Sequence, residues 1–93
     1  MSLIQALLQD MHTIETELSQ FESKFGVLSQ DFYVAMTRGD LEEFDALDDY
    51  RMEFVHWMGL YETWGSFNGK YRQLIDRQPV AMQIKTNLEP SYA

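Results

Sequence analysis

Hydrophobic residues recur every three or four positions along most of this chain, a spacing that predicts helices rather than strands. The clearest case is a first helix over residues 2–25, with Ser2 as a capping residue and Gly26 as a terminator. Its apolar positions form a seam of three heptads, typical of helices that pack side by side. The seam consists of Ile4, Leu7, Met11, Ile14, Leu18, Phe21 and Phe25.

A second long pattern is an aromatic stripe in the middle of the chain. Five rings recur at 4-3-4-3 spacing, which places them on one side of a helix. The stripe consists of Tyr50, Phe54, Trp57, Tyr61 and Trp64. We expect this helix to cover about residues 48–77, because Pro79 disfavours helical geometry in Gln78.

Three glycines interrupt the predicted long helix. Gly59, Gly65 and Gly69 each cost roughly 1 kcal/mol relative to alanine inside a helix. The sequence therefore predicts either a close neighbour at these positions or a break near residues 65–69.

Between the two long helices, the sequence predicts a short helix and an acidic segment. Ser29 is the expected N-cap of the short helix, and Gly39 stops it. Residues 40–49 then carry six carboxylates in ten positions. This acidic segment is either a helical turn leading into the third helix or a capped corner, with Asp45, Asp48 or Asp49 as the N-cap.

The final segment, residues 79–93, has an ambiguous pattern. Val80, Met82 and Ile84 alternate as in a strand, whereas Val80, Ile84 and Leu88 fit a helix. Residues 1–64 carry 3 basic and 13 acidic side chains (net −10), and residues 65–93 carry 4 and 2 (net +2). We therefore divide the chain into a helical domain, residues 1–78, and a C-terminal arm, residues 79–93.

Composition and charge narrow the possible functions. With 93 residues and 45% hydrophobic content, the chain fits one domain with a single core. The net charge of −8 disfavours direct binding to nucleic acid or to an anionic membrane and suits a basic protein partner. The absence of cysteine excludes disulfides, and we find neither a signal peptide nor a membrane span. We expect a cytoplasmic protein.

Candidate metal and catalytic motifs are weak. Glu53 and His56 form an E-x-x-H pair, but a di-iron bundle needs a second such pair and two further glutamates. The remaining histidine, His12, stands in the reverse order with Glu15. Residues 40–49 lack the glycine and closing glutamate of a calcium loop. With no nucleophile beside a base and no phosphate loop, we expect no enzyme activity, metal or cofactor.

The aromatic stripe is either core or an interaction surface. The first helix spans about 35 Å and the third about 45 Å at 1.5 Å per residue, so part of the third helix extends beyond the first. We expect the stripe to be core at one end and interface at the other, and a second copy is the commonest cover. The predicted fold is all-α: two long helices form an antiparallel hairpin with a short helix between them, completed by dimerisation.

Over residues 21–75, the chain resembles a group of small acidic helical bacterial proteins. The resemblance rests on Phe25-Gly26, Ser29 with Phe32-Tyr33, Met36 with Gly39 and Leu41, and Phe54 with Trp57, Leu60, Tyr61 and Glu62. Where the family usually has glutamate before the tryptophan, this chain has His56. Proteins of this kind are often encoded beside ribonuclease-type toxins and are taken to be their antitoxins.

The resemblance implies a non-enzymatic protein that masks a basic toxin by direct contact. The expected anchors are the stripe residues Tyr50, Phe54, Trp57, Tyr61 and Trp64. The expected acidic rim consists of Asp40, Glu42, Glu43, Asp45, Asp48 and Asp49. A self-associating protein of structural or regulatory role is the alternative, followed by a metal-binding bundle using Glu53 and His56.

Overall fold

A computed structural model describes residues 2–44 and 48–88 of the chain. Within these ranges, the regular structure is entirely helical, so the predicted fold class is confirmed. The elements are α1 (Leu3–Phe25), α2 (Ser29–Arg38), a 3-10 turn (Glu42–Phe44), α3 (Asp48–Asp76) and α4 (Val80–Leu88).

The ends of α1 follow from local chemistry. The Ser2 hydroxyl accepts the Gln5 backbone N–H at 3.1 Å, and the Gln5 side-chain oxygen accepts the Ser2 N–H at 2.9 Å. This reciprocal capping box satisfies two backbone donors that would otherwise lack partners. At the other end, Gly26 takes the left-handed conformation with φ +77°. Both predicted ends of α1 are confirmed.

The two long helices, α1 and α3, pack as an antiparallel hairpin. Phe25, the last residue of α1, packs against Tyr50 and Phe54 near the start of α3, and Glu15 bonds to Trp64 further along. The heptad seam of α1 supplies the buried residues Ile4, Leu7, Met11 and Leu18. Since α3 has 29 residues and α1 has 23, α3 is the longer partner, as predicted.

The N-cap of the short helix α2 lies one residue earlier than predicted. Leu28 is the N-cap, and Ser29 is the first helical residue. The expected N-cap at Ser29 is therefore wrong, because its hydroxyl is engaged in tertiary hydrogen bonds instead. The end of α2 is as predicted, with Gly39 at φ +78°.

The third helix runs unbroken through all three glycines. The helix does not break at residues 65–69. Apart from the nearby backbone of α3, a Cβ at Gly59, Gly65 or Gly69 would meet no described atom within 4 Å, so a close neighbour from a second chain stays a prediction. Tertiary packing along the stripe outweighs roughly 1 kcal/mol per glycine.

The C-terminal arm contains the helix α4, which settles the strand-or-helix ambiguity for residues 80–88. Its buried residue is Gln83, whereas Val80, Ile84 and Leu88 are exposed. The predicted apolar stripe of this helix therefore faces away from the rest of the described chain.

Candidate functional site

Trp57 is the centre of the core and is fully buried. Its indole stacks on Phe32 at 3.8 Å and on Phe21 at 5.4 Å between ring centroids. Phe25 stacks at 5.6 Å, and Phe54 approaches edge-on at 6.4 Å. Aromatic pairs of this kind contribute roughly 0.5–1.5 kcal/mol each beyond the area they bury. This cluster joins α1, α2 and α3 around one ring.

A chain of hydrogen bonds satisfies the polar atom of that buried ring. Trp57 Nε1–H donates to Ser29 Oγ at 2.9 Å, and Ser29 Oγ donates in turn to Glu22 Oε2 at 2.8 Å. The same carboxylate oxygen accepts the Ser29 backbone N–H at 2.9 Å. Because a buried indole N–H without an acceptor is costly, this chain fixes how α2 sits on the hairpin.

Beside this network, a cleft of about 330 Å³ lies between the three helices and is open to solvent. Glu15 and Glu22 line it from α1, and Tyr61 and Trp64 line it from α3. The two aromatic rings are nearly parallel, with centroids 6.2 Å apart. Trp64 Nε1–H donates to Glu15 Oε2 at 3.0 Å, which holds that indole against α1. The cleft thus combines aromatic faces with carboxylates.

The structure divides the predicted anchor residues into two groups. Phe54 and Trp57 are buried in the core of the chain, so a partner does not reach them in this conformation. Tyr61 and Trp64 are half-buried at the cleft, and Tyr50 is 40% exposed. The reachable part of the stripe therefore consists of Tyr50 at one end and the Tyr61–Trp64 pair at the cleft.

The predicted acidic rim is described in part. Asp40, Glu42 and Glu43 are exposed around the 3-10 turn. Phe44, the last residue of that turn, packs against Tyr50 and Phe54 with ring centroids 6.1 and 5.6 Å apart. The 3-10 turn that carries Glu42 and Glu43 is thus packed beside Tyr50 through Phe44. Asp45 lies outside the described residues, as do the side chains of Asp48 and Asp49.

The E-x-x-H pair is engaged in contacts with α1. Glu53 accepts two hydrogen bonds from Lys24 Nζ, at 2.8 and 2.6 Å. His56 Nε2 lies 4.0 Å from a carboxylate oxygen of Glu17. Within residues 2–44 and 48–88, no three histidine or carboxylate side chains are grouped to hold a metal ion.

The sequence pattern did not indicate the roles of Glu15, Glu22 and Ser29. Glu15 and Glu22 lie seven positions apart on α1 and look like ordinary surface residues there. A usable signal was present in the two tryptophans, because a buried indole N–H needs an acceptor. Which acceptor it finds depends on how the helices pack.

None of the described helices is sufficiently long and apolar to cross a bilayer. Comparisons with protein-family models, with curated protein sequences and with solved structures found no match to this chain.

Proposed function

We propose that this chain is a non-enzymatic, cytoplasmic protein-interaction module that neutralises a basic toxin by direct contact, in the manner of an antitoxin. The toxin expected from the resemblance is of the ribonuclease type. Its cationic RNA-binding surface would be covered by an acidic protein, which also fits a chain that binds no nucleic acid itself.

The observation that carries this proposal is an acidic surface with little internal neutralisation. In the described part of the chain, the ion pairs within 4.0 Å are Lys24–Glu53 and His56–Glu17. Nine acidic side chains there are exposed: Asp10, Glu15, Glu17, Asp31, Asp40, Glu42, Glu43, Glu62 and Asp76. Such a surface attracts a cationic partner over long range and raises its association rate.

The 3-10 turn supports one particular contact region, which we name the acidic corner: Asp40, Glu42, Glu43 and the neighbouring ring of Tyr50. Tyr50 supplies an exposed aromatic surface, and Phe44, which follows the three exposed carboxylates in the chain, packs against its ring. Interfaces commonly combine an aromatic anchor with a charged rim in this way.

The experiment is a pull-down and co-expression test with the product of the neighbouring gene. We expect that product to be basic, to be captured by this chain and to lose its toxicity on co-expression. The double change Glu42→Lys with Glu43→Lys should weaken capture by roughly tenfold and make the remaining capture less sensitive to salt.

A matched control reverses the same amount of charge elsewhere. Asp10 and Glu62 are also exposed, so Asp10→Lys with Glu62→Lys gives the same net charge outside the acidic corner. If both double variants weaken capture equally, the acidic corner is not the contact region. If no neighbouring product is captured or neutralised by the unaltered chain, the antitoxin proposal fails.

Self-association is the second candidate function, and the exposure of α4 favours it. Val80, Ile84 and Leu88 form an outward stripe with 60%, 52% and 75% of their surface exposed. Gln83, which lies beside this stripe on the helix, is buried, and its Nε2 has no hydrogen-bond partner in the described chain. The mildly basic segment 65–93 of one copy would then lie against the acidic residues 1–64 of another.

A further inference from the structure

We propose that the cleft between α1, α2 and α3 receives an arginine side chain of the protein partner. This assignment rests on the proposed function, and it names a second contact region apart from the acidic corner. It follows from three features of the cleft: its aromatic faces, its carboxylates and the absence of a cation from its lining.

The walls of the cleft match the two parts of an arginine side chain. Leu18 and Leu28 supply aliphatic surface for the three-carbon stem. Tyr61 and Trp64 both line the cleft, with 15° between their ring planes, and supply aromatic rings for a planar cation. A guanidinium group stacks on such rings and is more weakly hydrated than an ammonium group.

Charge selects for a cation in the same place. Glu15 and Glu22 lie two turns apart on α1, about 10 Å along the helix axis, and both line the cleft. Each is held by a hydrogen bond through Oε2, Glu15 from Trp64 and Glu22 from Ser29. The lining includes no lysine or arginine among the described residues. The described lining therefore supplies no positive charge to neutralise the two carboxylates.

Orientation favours arginine over lysine. Because the Trp64 indole is tied to Glu15 through its Nε1–H, the carboxylate is held at the edge of the ring. A guanidinium can stack on the ring and donate two in-plane hydrogen bonds at once, whereas an ammonium offers a point charge. We therefore expect the cleft to prefer arginine.

The test uses a small probe, so it does not depend on identifying the partner. Blocked arginine, with acetylated and amidated ends, is titrated into the ¹⁵N-labelled chain while the two indole Nε1–H signals are followed by NMR. We expect a saturable shift of the Trp64 signal at millimolar concentration and little change for buried Trp57. Blocked lysine should bind more weakly, and blocked citrulline, the neutral analogue, should not bind.

Matched variants assign the binding to the cleft. Glu15→Gln retains an oxygen for Trp64 but removes the charge, and it should weaken binding by about three- to tenfold. Glu62→Gln, an exposed carboxylate outside the cleft, is the control and should leave binding unchanged. Tyr61→Phe keeps the aromatic face and should bind like the unaltered chain, whereas Tyr61→Leu should bind less well.

Equal binding of arginine and citrulline, or of the Glu15→Gln and unaltered chains, would overturn the assignment. Equal binding of arginine and lysine would also do so, because the cleft would then recognise charge without planarity. Arginine binding without capture of the neighbouring gene product would leave the cleft assignment standing and count against the antitoxin proposal. Capture of the neighbouring gene product without arginine binding would overturn the cleft assignment and leave the antitoxin proposal standing.

Discussion

At the scale of single residues, the Ser29 hydroxyl connects three helices. It accepts a hydrogen bond from Trp57 of α3 and donates one to Glu22 of α1, while it belongs itself to α2. Ser29 is 3% exposed and Trp57 is fully buried, so water does not easily replace either partner. The buried indole and the position of α2 therefore depend on one hydroxyl group.

We expect Ser29→Ala to lower the free energy of unfolding by about 1–3 kcal/mol, because the buried Trp57 N–H loses its acceptor. Urea unfolding measures the change. Ser19→Ala is the matched control, since Ser19 is exposed on α1 and its loss should change stability by less than about 0.5 kcal/mol. An equally small effect for Ser29→Ala would show that the hydroxyl does not stabilise the packing of α2.

At the scale of elements, the glycines of this chain fall into two classes. Gly39 ends α2 at φ +78°, and a Cβ there would lie 2.9 Å from Glu42 Oε1. Gly59 lies inside α3, where a Cβ would meet nothing within 4 Å. Gly39 is thus required by backbone geometry, whereas Gly59 lowers the stability of α3 with no compensating contact in the described chain.

Alanine substitution should therefore change stability in opposite directions at these two positions. Gly59→Ala should raise the free energy of unfolding by about 0.5–1 kcal/mol, since alanine favours the helix. Gly39→Ala should lower it by roughly 1–2 kcal/mol, since a side chain is strained in the left-handed region. Thermal unfolding followed by circular dichroism checks both, at about 4–8 °C per kcal/mol for a domain of this size. Destabilisation by Gly59→Ala in the isolated protein would contradict this account.

At the scale of the whole molecule, the elongated shape and an exposed apolar stripe bear on the self-association candidate. The chain is elongated, with extents of 58 × 21 × 17 Å, and it leaves the apolar stripe of α4 exposed. A small domain buries a limited share of its surface, so covering such a stripe with a second copy adds stability.

Under the self-association candidate, we expect the unaltered chain to sediment at micromolar concentration with about twice its mass of 11.0 kDa. Ile84→Lys should shift it to the monomer, because a charge on the apolar stripe opposes burial. Thr86→Lys adds the same charge at another exposed position of α4 and is the control. A clean monomer for the unaltered chain rules this candidate out.

Much of the local structure could be predicted from the sequence. The heptad seam, the cap at Ser2 and the glycines at 26 and 39 depend on residues a few positions apart, so they place the ends of α1 and the end of α2 closely. The role of Ser29 could not be predicted in this way. Its hydroxyl is a good N-cap locally, but its partner Trp57 is 28 positions away.

The candidate site shows the same division between local and distant information. The aromatic stripe predicted one side of α3, but the sequence did not divide it into the buried Phe54 and Trp57 and the accessible Tyr50, Tyr61 and Trp64. The cleft was not predictable, because it forms where Glu15 meets Trp64, 49 positions further along the chain.

The sequence by itself determined the helical type of α1, α2 and α3 and the approximate ends of α1 and α2, because periodicity and capping act between near neighbours. Only the tertiary structure decided that α3 continues through its glycines and that α4 turns its apolar stripe outward. It also decided that Ser29 accepts the hydrogen bond of Trp57 and that two carboxylates and two aromatic rings border one cleft. Those outcomes depend on packing between helices distant in the chain, where burial of aromatic surface outweighs local preference.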